Sequence, residues 1–203
     1  EALKKIQKST IKNKKVKWIR KIKEINAGPI IFIGNEFFDS LPIKQIYKKN
    51  NLFFEKHIAL SKNGKEMKFL YKKTKNKLIK DIEKLNLIST SGIIEYPSKA
   101  IKYLQIISEK VKKHDGGLLT FDYGYTVNKN IDTLQAVKKH NYANVLVRPG
   151  SSDITSHINY KLFVKILKKN NLAVNKIVSQ NEFLQKLGII ERANLLSKKI
   201  TFK

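Results

Sequence analysis

The 203-residue sequence contains no cysteine. Its absence excludes a disulfide scaffold, a cysteine nucleophile and a thiolate-bound zinc site. The sequence also lacks any run of about 18 apolar residues, the length that a membrane-spanning helix requires. Hydrophobic residues nevertheless make up 41% of the chain. This fraction is enough to build a core, and the length suits a single domain.

Arginine is scarce although the chain is strongly basic. The formal net charge is +26, yet the only arginines are Arg20, Arg148 and Arg192, and all other basic residues are lysines scattered along the chain. Arginine is the side chain that best matches phosphate groups and base edges, whereas Lys, Asn and Ile are favoured by AT-rich genomes. We therefore interpret the charge as compositional drift, with a weak and salt-sensitive affinity for polyanions.

Several common catalytic motifs are also missing. The sequence has no G-x-S-x-G, Walker A or H-E-x-x-H motif and no G-x-G-x-G loop to cradle a nucleotide-like cofactor. No metal site is predicted, because the four histidines lie too far apart for metal-ligand spacing: His57, His114, His140 and His157.

The apolar pattern predicts an α/β fold with a parallel sheet. Residues 30–33 are a short continuous apolar run, typical of a strand buried on both faces, and residues 118–121 are predicted as a second buried strand. Between them, residues 98–113 have the periodicity of an amphipathic helix, with Ser98 as a candidate N-cap. A strand, a connection that carries a helix and a second buried strand fit a parallel α/β sheet.

Other segments predict further elements. An antiparallel excursion from the main sheet is predicted from three strand-like segments with turn residues between them, at 43–47, 52–60 and 67–71. Further helices are predicted at 3–13, 77–85, 160–169 and 181–187. Two more short strands are predicted at 16–19 and 173–178.

Polar residues follow the two buried strands, where open α/β sheets bind their ligands. Glu36 and Asp39 come directly after the first strand. If this turn is helical, the two carboxylates share a face and can hold a planar cation such as guanidinium. Alternatively, Asp39 and Ser40 cap a helix while Glu36 is solvated.

Two other stretches are rich in hydrogen-bonding groups. Asp122-Tyr123-Gly124 follows the second buried strand, and PGSSDITSHINY (149–160) precedes a predicted helix. Without further context, the simpler interpretations are that Asp122 is a turn residue, that Asp153 is an N-cap and that His157 lies on the surface.

Four segments resemble the signatures of one protein family, in the same order and with similar spacing. IGNEFFDSLP (33–42) is similar to (N/H)EFFDxLP. GGLLTFDYG (116–124) is similar to GGxxLxxDYG, with Thr120 where an aliphatic residue is common. DTLQAV (132–137) and the 149–160 segment resemble DTLxA…PGxADLTAHVDF. The sequence thereby resembles the MidA-like methyltransferases, which depend on S-adenosyl-L-methionine (SAM), assist complex I assembly and modify a protein arginine.

The resemblance implies a partial class I, Rossmann-like sheet with a small antiparallel insertion. It implies methyl transfer from SAM to an arginine of a respiratory complex I subunit, giving symmetric dimethylarginine. Glu36 and Asp39 are then the catalytic carboxylates that orient the protonated guanidinium, and Gly34 and Asn35 are cofactor-binding candidates. The candidate substrate or pocket residues are Phe37, Phe38, Asp122, Tyr123, Asp153, Thr155 and His157.

The resemblance also predicts that the sequence is an internal fragment. LKKIQ (3–7) resembles the LRxxQ segment that follows the family's second strand, so the glycine-rich SAM loop would precede residue 1. The family's final strands would follow residue 203. We therefore expect residues 1–203 to be the C-terminal part of one methyltransferase domain, with a β-rich insertion at about 43–90, and to be inactive alone.

The expected partner is a complex I subunit as protein substrate, without specific nucleic-acid or membrane binding, and a homodimer is left open. The expected location is a bacterial cytoplasm, with the mitochondrial matrix as the alternative. Three other functions stay open: an RNA methyltransferase, a non-catalytic complex I assembly factor, and a basic polyanion-binding α/β module. The lysine content favours the first, whereas the scarce arginine and the lack of an NPPY-type motif after residues 30–33 disfavour it.

Overall fold

The computed structural model describes residues 2–12, 15–88, 92–127, 131–148 and 150–198. Its helices and strands, in chain order, are α1 (Ala2–Thr10), β1 (Ile30–Asn35), β2 (Lys44–Lys49), β3 (Leu52–Leu60), β4 (Met67–Lys73), α2 (Asn76–Lys84), β5 (Ile93–Tyr96), α3 (Ser98–His114), β6 (Gly116–Phe121), β7 (Gly124–Tyr125), β8 (Gln135–Lys138), β9 (Asn141–Ala143), β10 (Asp153–Thr155), β11 (Ile158–Asn159), α4 (Tyr160–Lys169), α5 (Gln180–Lys186) and α6 (Ile189–Ser197).

The two predicted buried strands form a parallel pair. β1 and β6 align in register from Ile30 opposite Gly116 to Asn35 opposite Phe121. A Cβ atom at Gly116 would lie 1.7 Å from the carbonyl oxygen of Ile30, so only glycine permits this close pairing. The prediction that the strands run parallel, linked through the long helix α3, is confirmed.

α3 packs on one face of this strand pair, and α4 packs against α3. The buried face of α3 includes Leu104 and Ile107, which belong to one core cluster with Leu162 and Ile166 of α4. The spacing of three and four residues places these side chains on the same side of each helix. The predicted helical periodicity of residues 98–113 is therefore confirmed, and Phe38, just beyond β1, joins the same core.

The other face of β1 is open, which corrects the prediction that the strand is buried on both faces. The exposed fractions of Ile31 and Ile33 are 74% and 71%. The chain as a whole exposes 15596 Å², about 1.6 times the area expected of a compact monomer with its mass of 23.5 kDa. Parallel sheets are ordinarily covered on both faces, whereas Ile31 and Ile33 of β1 have no such cover from the described residues. On the neighbouring strand β6, Phe121 packs against Phe183 of α5 at a centroid distance of 5.1 Å.

The antiparallel excursion is confirmed as a four-stranded sheet with the strand order β4-β3-β2-β5. Asn50 and Asn51 turn β2 into β3 with φ values of 47° and 61°, a conformation that asparagine tolerates and that two-residue hairpins need. One face of this sheet packs against α2 through Ile46, Ile82 and Ile94. β5 was not predicted.

Three local predictions are wrong. Residues 16–19 and 173–178 form no strand, because no neighbouring strand within the described ranges pairs with either of them. Ser98 is the first residue of α3 rather than its N-cap, which is Pro97. The helices predicted at 77–85, 160–169 and 181–187 are confirmed within one residue, and that at 3–13 ends at Thr10. Residue 13 lies outside the described residues.

The small sheets and α6 were not predicted. β8 pairs with β9 and β10, and β11 pairs with β7.

In the part of the chain that the structure describes, no helix combines the length and the apolar character needed to cross a bilayer.

Candidate functional site

The carboxyl ends of β1 and β6 bring the first two polar stretches together. The backbone N–H of Glu36 donates to the carbonyl of Phe121 at 2.8 Å. One carboxylate oxygen of Asp122 accepts hydrogen bonds from the backbone N–H groups of Phe38 and Asp39, both at 3.2 Å. Two motifs more than 80 residues apart in sequence therefore form one site, as the strand-end prediction expected.

Asp122 holds the turn after β1 in place. Its second carboxylate oxygen accepts a hydrogen bond from the Thr120 hydroxyl at 2.7 Å. Its backbone N–H donates to the hydroxyl of Tyr160, and its carbonyl lies 2.9 Å from that same hydroxyl. Thr120, which stands where the family commonly has an aliphatic residue, thus has a structural role that the sequence did not reveal.

Asp39 is the most buried carboxylate of the site. Its residue is 4% exposed, and one of its carboxylate oxygens has no hydrogen-bond donor among the described residues. Burial raises the pKa of Asp39 above its ordinary value, and the neighbouring charges of Asp122 and Glu36 raise it further. These causes outweigh the backbone hydrogen bond from Ser40, which lowers the pKa.

Glu36 and Asp39 converge without a helix. Residues 36–42 form bends and turns, so neither the shared helical face nor a helix cap by Asp39 and Ser40 describes them. Instead, Glu36 has a left-handed backbone with φ of 48° and is exposed at the end of β1, while the chain turns and buries Asp39. A non-glycine residue with positive φ is uncommon and is found often at functional sites.

The third polar stretch packs against the first two. The backbone N–H of Ser156 donates to the carbonyl of Asp39 at 3.0 Å, and that of Ile158 donates to the carbonyl of Tyr123 at 2.8 Å. Among the candidates of this stretch, His157 is exposed and Thr155 is half-buried, accepting from the Gln135 amide at 3.1 Å. Pro149 lies outside the described residues.

Asp153 does not cap a helix. It is an exposed residue of β10, paired opposite Val137. The N-cap of α4 is Asn159, whose side-chain oxygen accepts from the backbone N–H of Leu162 at 3.0 Å. Sequence reasoning missed this cap, although an asparagine directly before a helical run is its usual signal.

A further polar group, here called the Glu95 cluster, consists of Gln45, Glu95, Asp132 and Thr133. The Gln45 side-chain amide donates to Glu95 at 2.8 Å and to Asp132 at 2.6 Å. Glu95 also accepts from the backbone N–H and the hydroxyl of Thr133, at 2.9 and 2.6 Å. Sequence reasoning missed Gln45 and Glu95, because only the folded sheet brings them to the DTL motif.

Asp132 of the Glu95 cluster and the neighbouring Tyr125 both have shifted pKa values. Burial acts to raise the pKa of Asp132, but hydrogen bonds from Lys56 and Gln45 and the Lys56 charge outweigh it and lower the pKa. Lys56 lies 2.8 Å from that carboxylate. Burial and then the Glu95 charge raise the pKa of Tyr125 to about 12, against a lowering hydrogen bond with Asn159.

Two open cavities meet at the end of β1. One, of about 850 Å³, is lined by Asn35, Glu36, Asp122 and Tyr123 among others. The other, of about 720 Å³, is lined by Gly34, Asn35, Phe37 and Phe38 together with residues of α3. Asn35 lines both cavities, which places the end of β1 beside enough space for a ligand of drug-like size.

Phe37 and Phe38 have different surroundings. Phe38 is 2% exposed, and its ring packs edge-to-face on Phe163 at a centroid distance of 5.1 Å. Phe37 is 36% exposed and packs edge-to-face on Tyr103 at 5.4 Å. Phe38 therefore anchors the turn in the core, whereas Phe37 presents an aromatic surface to the second cavity.

No group of three or more His, Cys, Asp or Glu side chains able to hold a metal occurs among the described residues.

Curated sequence relatives align with most of the length of this chain. It is 29% identical over 182 residues to the protein arginine methyltransferase NDUFAF7 homolog, mitochondrial, of Caenorhabditis elegans, and 23% identical over 185 residues to human NDUFAF7. These alignments cover 88% and 91% of this chain but 42% and 41% of the relatives. The chain therefore spans less than half the length of these curated relatives.

Solved structures share the fold. Two crystal structures from Burkholderia thailandensis match with TM-scores of 0.70 and 0.75, each at 18% identity. They match over 91% and 98% of this chain and over 47% and 54% of their own chains. The first was determined with bound S-adenosyl-homocysteine.

A family profile covers residues 1–178. The family is described as "Putative S-adenosyl-L-methionine-dependent methyltransferase", and the three polar stretches of the site all lie within the matched residues. Since the match spans most of the sequence, the chain belongs to this family of SAM-dependent methyltransferases, as the four signature segments indicated.

Proposed function

We propose that this chain is part of a protein arginine methyltransferase whose acceptor is a subunit of respiratory complex I. The observation that carries the proposal is the convergence of Glu36, Asp39 and Asp122 at the carboxyl ends of two adjacent parallel strands. The chain has a formal net charge of +26, so a concentration of carboxylates at this edge is a local exception. Both proposed reactants, a sulfonium and a guanidinium, are cations that such a site attracts.

The two carboxylates after β1 have complementary positions. Glu36 is exposed at the rim of the first cavity and is placed to receive an arginine from solvent. Asp39 lies beneath and retains an acceptor oxygen without a donor, which a guanidinium N–H would satisfy. In this proposal the pair orients the planar cation through charge-assisted hydrogen bonds and stabilises its charge as one nitrogen reacts.

Cofactor binding is proposed for Gly34 and Asn35, which lie at the end of β1 where the cavities meet. When bound, SAM supplies an activated methyl group for in-line displacement. The chain's own contribution would be to hold the acceptor nitrogen in line and to exclude water. Phe37, Tyr123, Asp153, Thr155 and His157 are proposed as further pocket or substrate residues.

We propose that another part of the protein completes the domain and brings the glycine-rich SAM loop. Among the described residues, no strand pairs with the second edge of β1, and the side chains of Ile31 and Ile33 leave an apolar strip uncovered beside it. The relatives are more than twice as long as the aligned region. A strand at that edge with a helix over the strip would restore the two-sided cover of a Rossmann-like parallel sheet. Residues 43–90 would form its β-rich insertion.

Methyl transfer tests the proposal directly. The full-length protein and its Glu36→Gln variant would be incubated with tritium-labelled SAM and purified complex I subunits, and the acid hydrolysate analysed for symmetric dimethylarginine. We expect labelled arginine from the wild-type protein and a loss of at least about 100-fold in the variant, with unchanged SAM affinity. Near-normal methylation by the variant would refute the role of Glu36.

The same experiment separates the alternatives. Label that disappears after nuclease treatment would identify an RNA methyltransferase. No label on any subunit, combined with no SAM binding in calorimetry, would identify a non-catalytic assembly role. SAM binding by the full-length protein but not by residues 1–203 would support completion of the site by another part of the chain.

A further inference from the structure

The Glu95 cluster connects the antiparallel sheet to the backbone beside Asp39. Gln45 and Thr133 are 5% and 7% exposed, so their polar side chains are withdrawn from water and depend on Glu95 and Asp132 as partners. Glu95 is half-buried and Asp132 is exposed. Two carboxylate oxygens accept from the Gln45 side-chain nitrogen, whose two N–H bonds provide one donor for each. The cluster thus fixes β2, β5 and the start of the DTL motif relative to one another.

Thr133 connects the Glu95 cluster to the third polar stretch by hydrogen bonds. Its hydroxyl donates to Glu95 at 2.6 Å and accepts from the backbone N–H of His157 at 2.9 Å. The preceding residue, Ser156, is 3% exposed and donates its backbone N–H to the carbonyl of Asp39 at 3.0 Å. A continuous hydrogen-bonded chain therefore runs from Glu95 through Thr133 and the 156–157 backbone to Asp39.

We infer that Glu95 and Thr133 are positioning residues that hold the Asp39 turn in its reactive geometry. Neither touches a proposed reactant, since they act through the backbone of residues 156–157. A hydroxyl that donates to a carboxylate and accepts from an amide is the smallest group that can join these two partners. The catalytic role of these hydrogen bonds rests on the proposed function, whereas their role in ordering the backbone of residues 156–157 does not.

Thr133→Val is the sharpest perturbation, because valine keeps the shape of threonine and removes both hydrogen bonds of the hydroxyl. Thr133→Ser is the conservative rescue, since serine keeps the hydroxyl and loses one methyl group. Thr74→Val is the matched control. Thr74 is also buried, at 3% exposure, but its hydroxyl has no hydrogen-bond partner among the described residues.

Two readouts in the full-length protein test the inference. The first is hydrogen–deuterium exchange of the peptide that carries Ser156 and His157, followed by mass spectrometry. The second is the turnover number and the SAM affinity in the tritium assay. For Thr133→Val we expect amide exchange about tenfold faster and turnover about tenfold slower, the factor that one lost hydrogen bond of ordinary strength produces, with SAM affinity unchanged.

Thr133→Ser should stay within about threefold of the wild type in both readouts, and Thr74→Val should change neither. Wild-type exchange and turnover in Thr133→Val would overturn the inference, as would equal effects of the valine and serine variants. If the wild-type protein transfers no methyl group, the proposed function fails, and the exchange measurement still decides whether Thr133 orders this backbone.

Discussion

Replacing Asp39 by asparagine is expected to stabilise the protein while it abolishes the proposed methyl transfer. Burial, together with the charges of Asp122 and Glu36, raises the pKa of Asp39, so the folded state disfavours its ionised form. The two aspartate side chains also interact directly, and that contact raises the pKa as well. An asparagine amide keeps the shape of the side chain, removes one negative charge and can donate to the Asp122 carboxylate.

The magnitude follows from the unpaired oxygen. A buried acceptor without a donor costs about 1–3 kcal/mol, and Asp39 holds one such oxygen at 4% exposure. Near neutral pH we expect Asp39→Asn to increase the free energy of unfolding by about this amount. For a domain of this size each kcal/mol raises Tm by about 2–4 °C.

The pH dependence has a definite sign. A carboxyl group whose pKa is raised in the folded state contributes its full stability to the fold at pH values below its unfolded-state pKa, which is here near 3.8. That stability is lost as the pH rises through the folded pKa. The stability advantage of Asp39→Asn should therefore be small near pH 3.5, grow above pH 4 and level off once Asp39 is ionised in the wild-type fold.

Urea unfolding between pH 3.5 and 7.5 measures this difference, with tritium transfer from SAM as the activity assay. Asp153→Asn is the matched control, because it makes the same chemical change on an exposed strand and should alter stability by less than about 0.5 kcal/mol. The reasoning would be refuted if Asp39→Asn were less stable than the wild type at pH 7, or if its advantage did not depend on pH.

Two other substitutions test the geometry of the site. Gly116→Ala should lower the free energy of unfolding by at least about 3 kcal/mol, because the added Cβ would lie 1.7 Å from the Ile30 carbonyl oxygen. Gly117→Ala is the control and should change the free energy of unfolding by less than about 1 kcal/mol, because its Cβ would have no neighbour within 4 Å. Thermal unfolding of the pair checks this, and equal effects would contradict the strand pairing. Asp122→Asn removes one of the charges that raise the pKa of Asp39, so a carbon-13 titration of Asp39 should show a lower pKa, and an unchanged value would contradict their proximity.

Periodicity and turn chemistry made much of the fold predictable. The 98–113 pattern predicted α3 because its apolar residues recur every three or four positions, and one face of a helix has to be buried. The hairpin between β2 and β3 followed from Asn50 and Asn51, whose side chains tolerate a positive φ. Both signals are local, so no knowledge of distant partners was required.

Some predictions that depended on a distant partner failed, although the parallel pairing of β1 with β6 was confirmed, and some elements were not predicted at all. Residues 16–19 and 173–178 have strand-like composition but form no strand, because a strand needs a neighbour whose position its own residues do not encode. The prediction that β1 is buried on both faces failed similarly, since Ile31 and Ile33 are exposed. β5 was missed because its four residues have little pattern before they pair with β2.

The sequence by itself determined most of the helices, the long strands, the family and the location of the polar groups at the strand ends, because these depend on residue types at short spacing. Only the tertiary structure decided how those groups act on one another. Asp39 differs from Glu36 because the turn buries one carboxylate and exposes the other. Glu95 reaches Thr133, 38 residues away, because sheet pairing closes long loops, and burial then makes each remaining polar partner necessary.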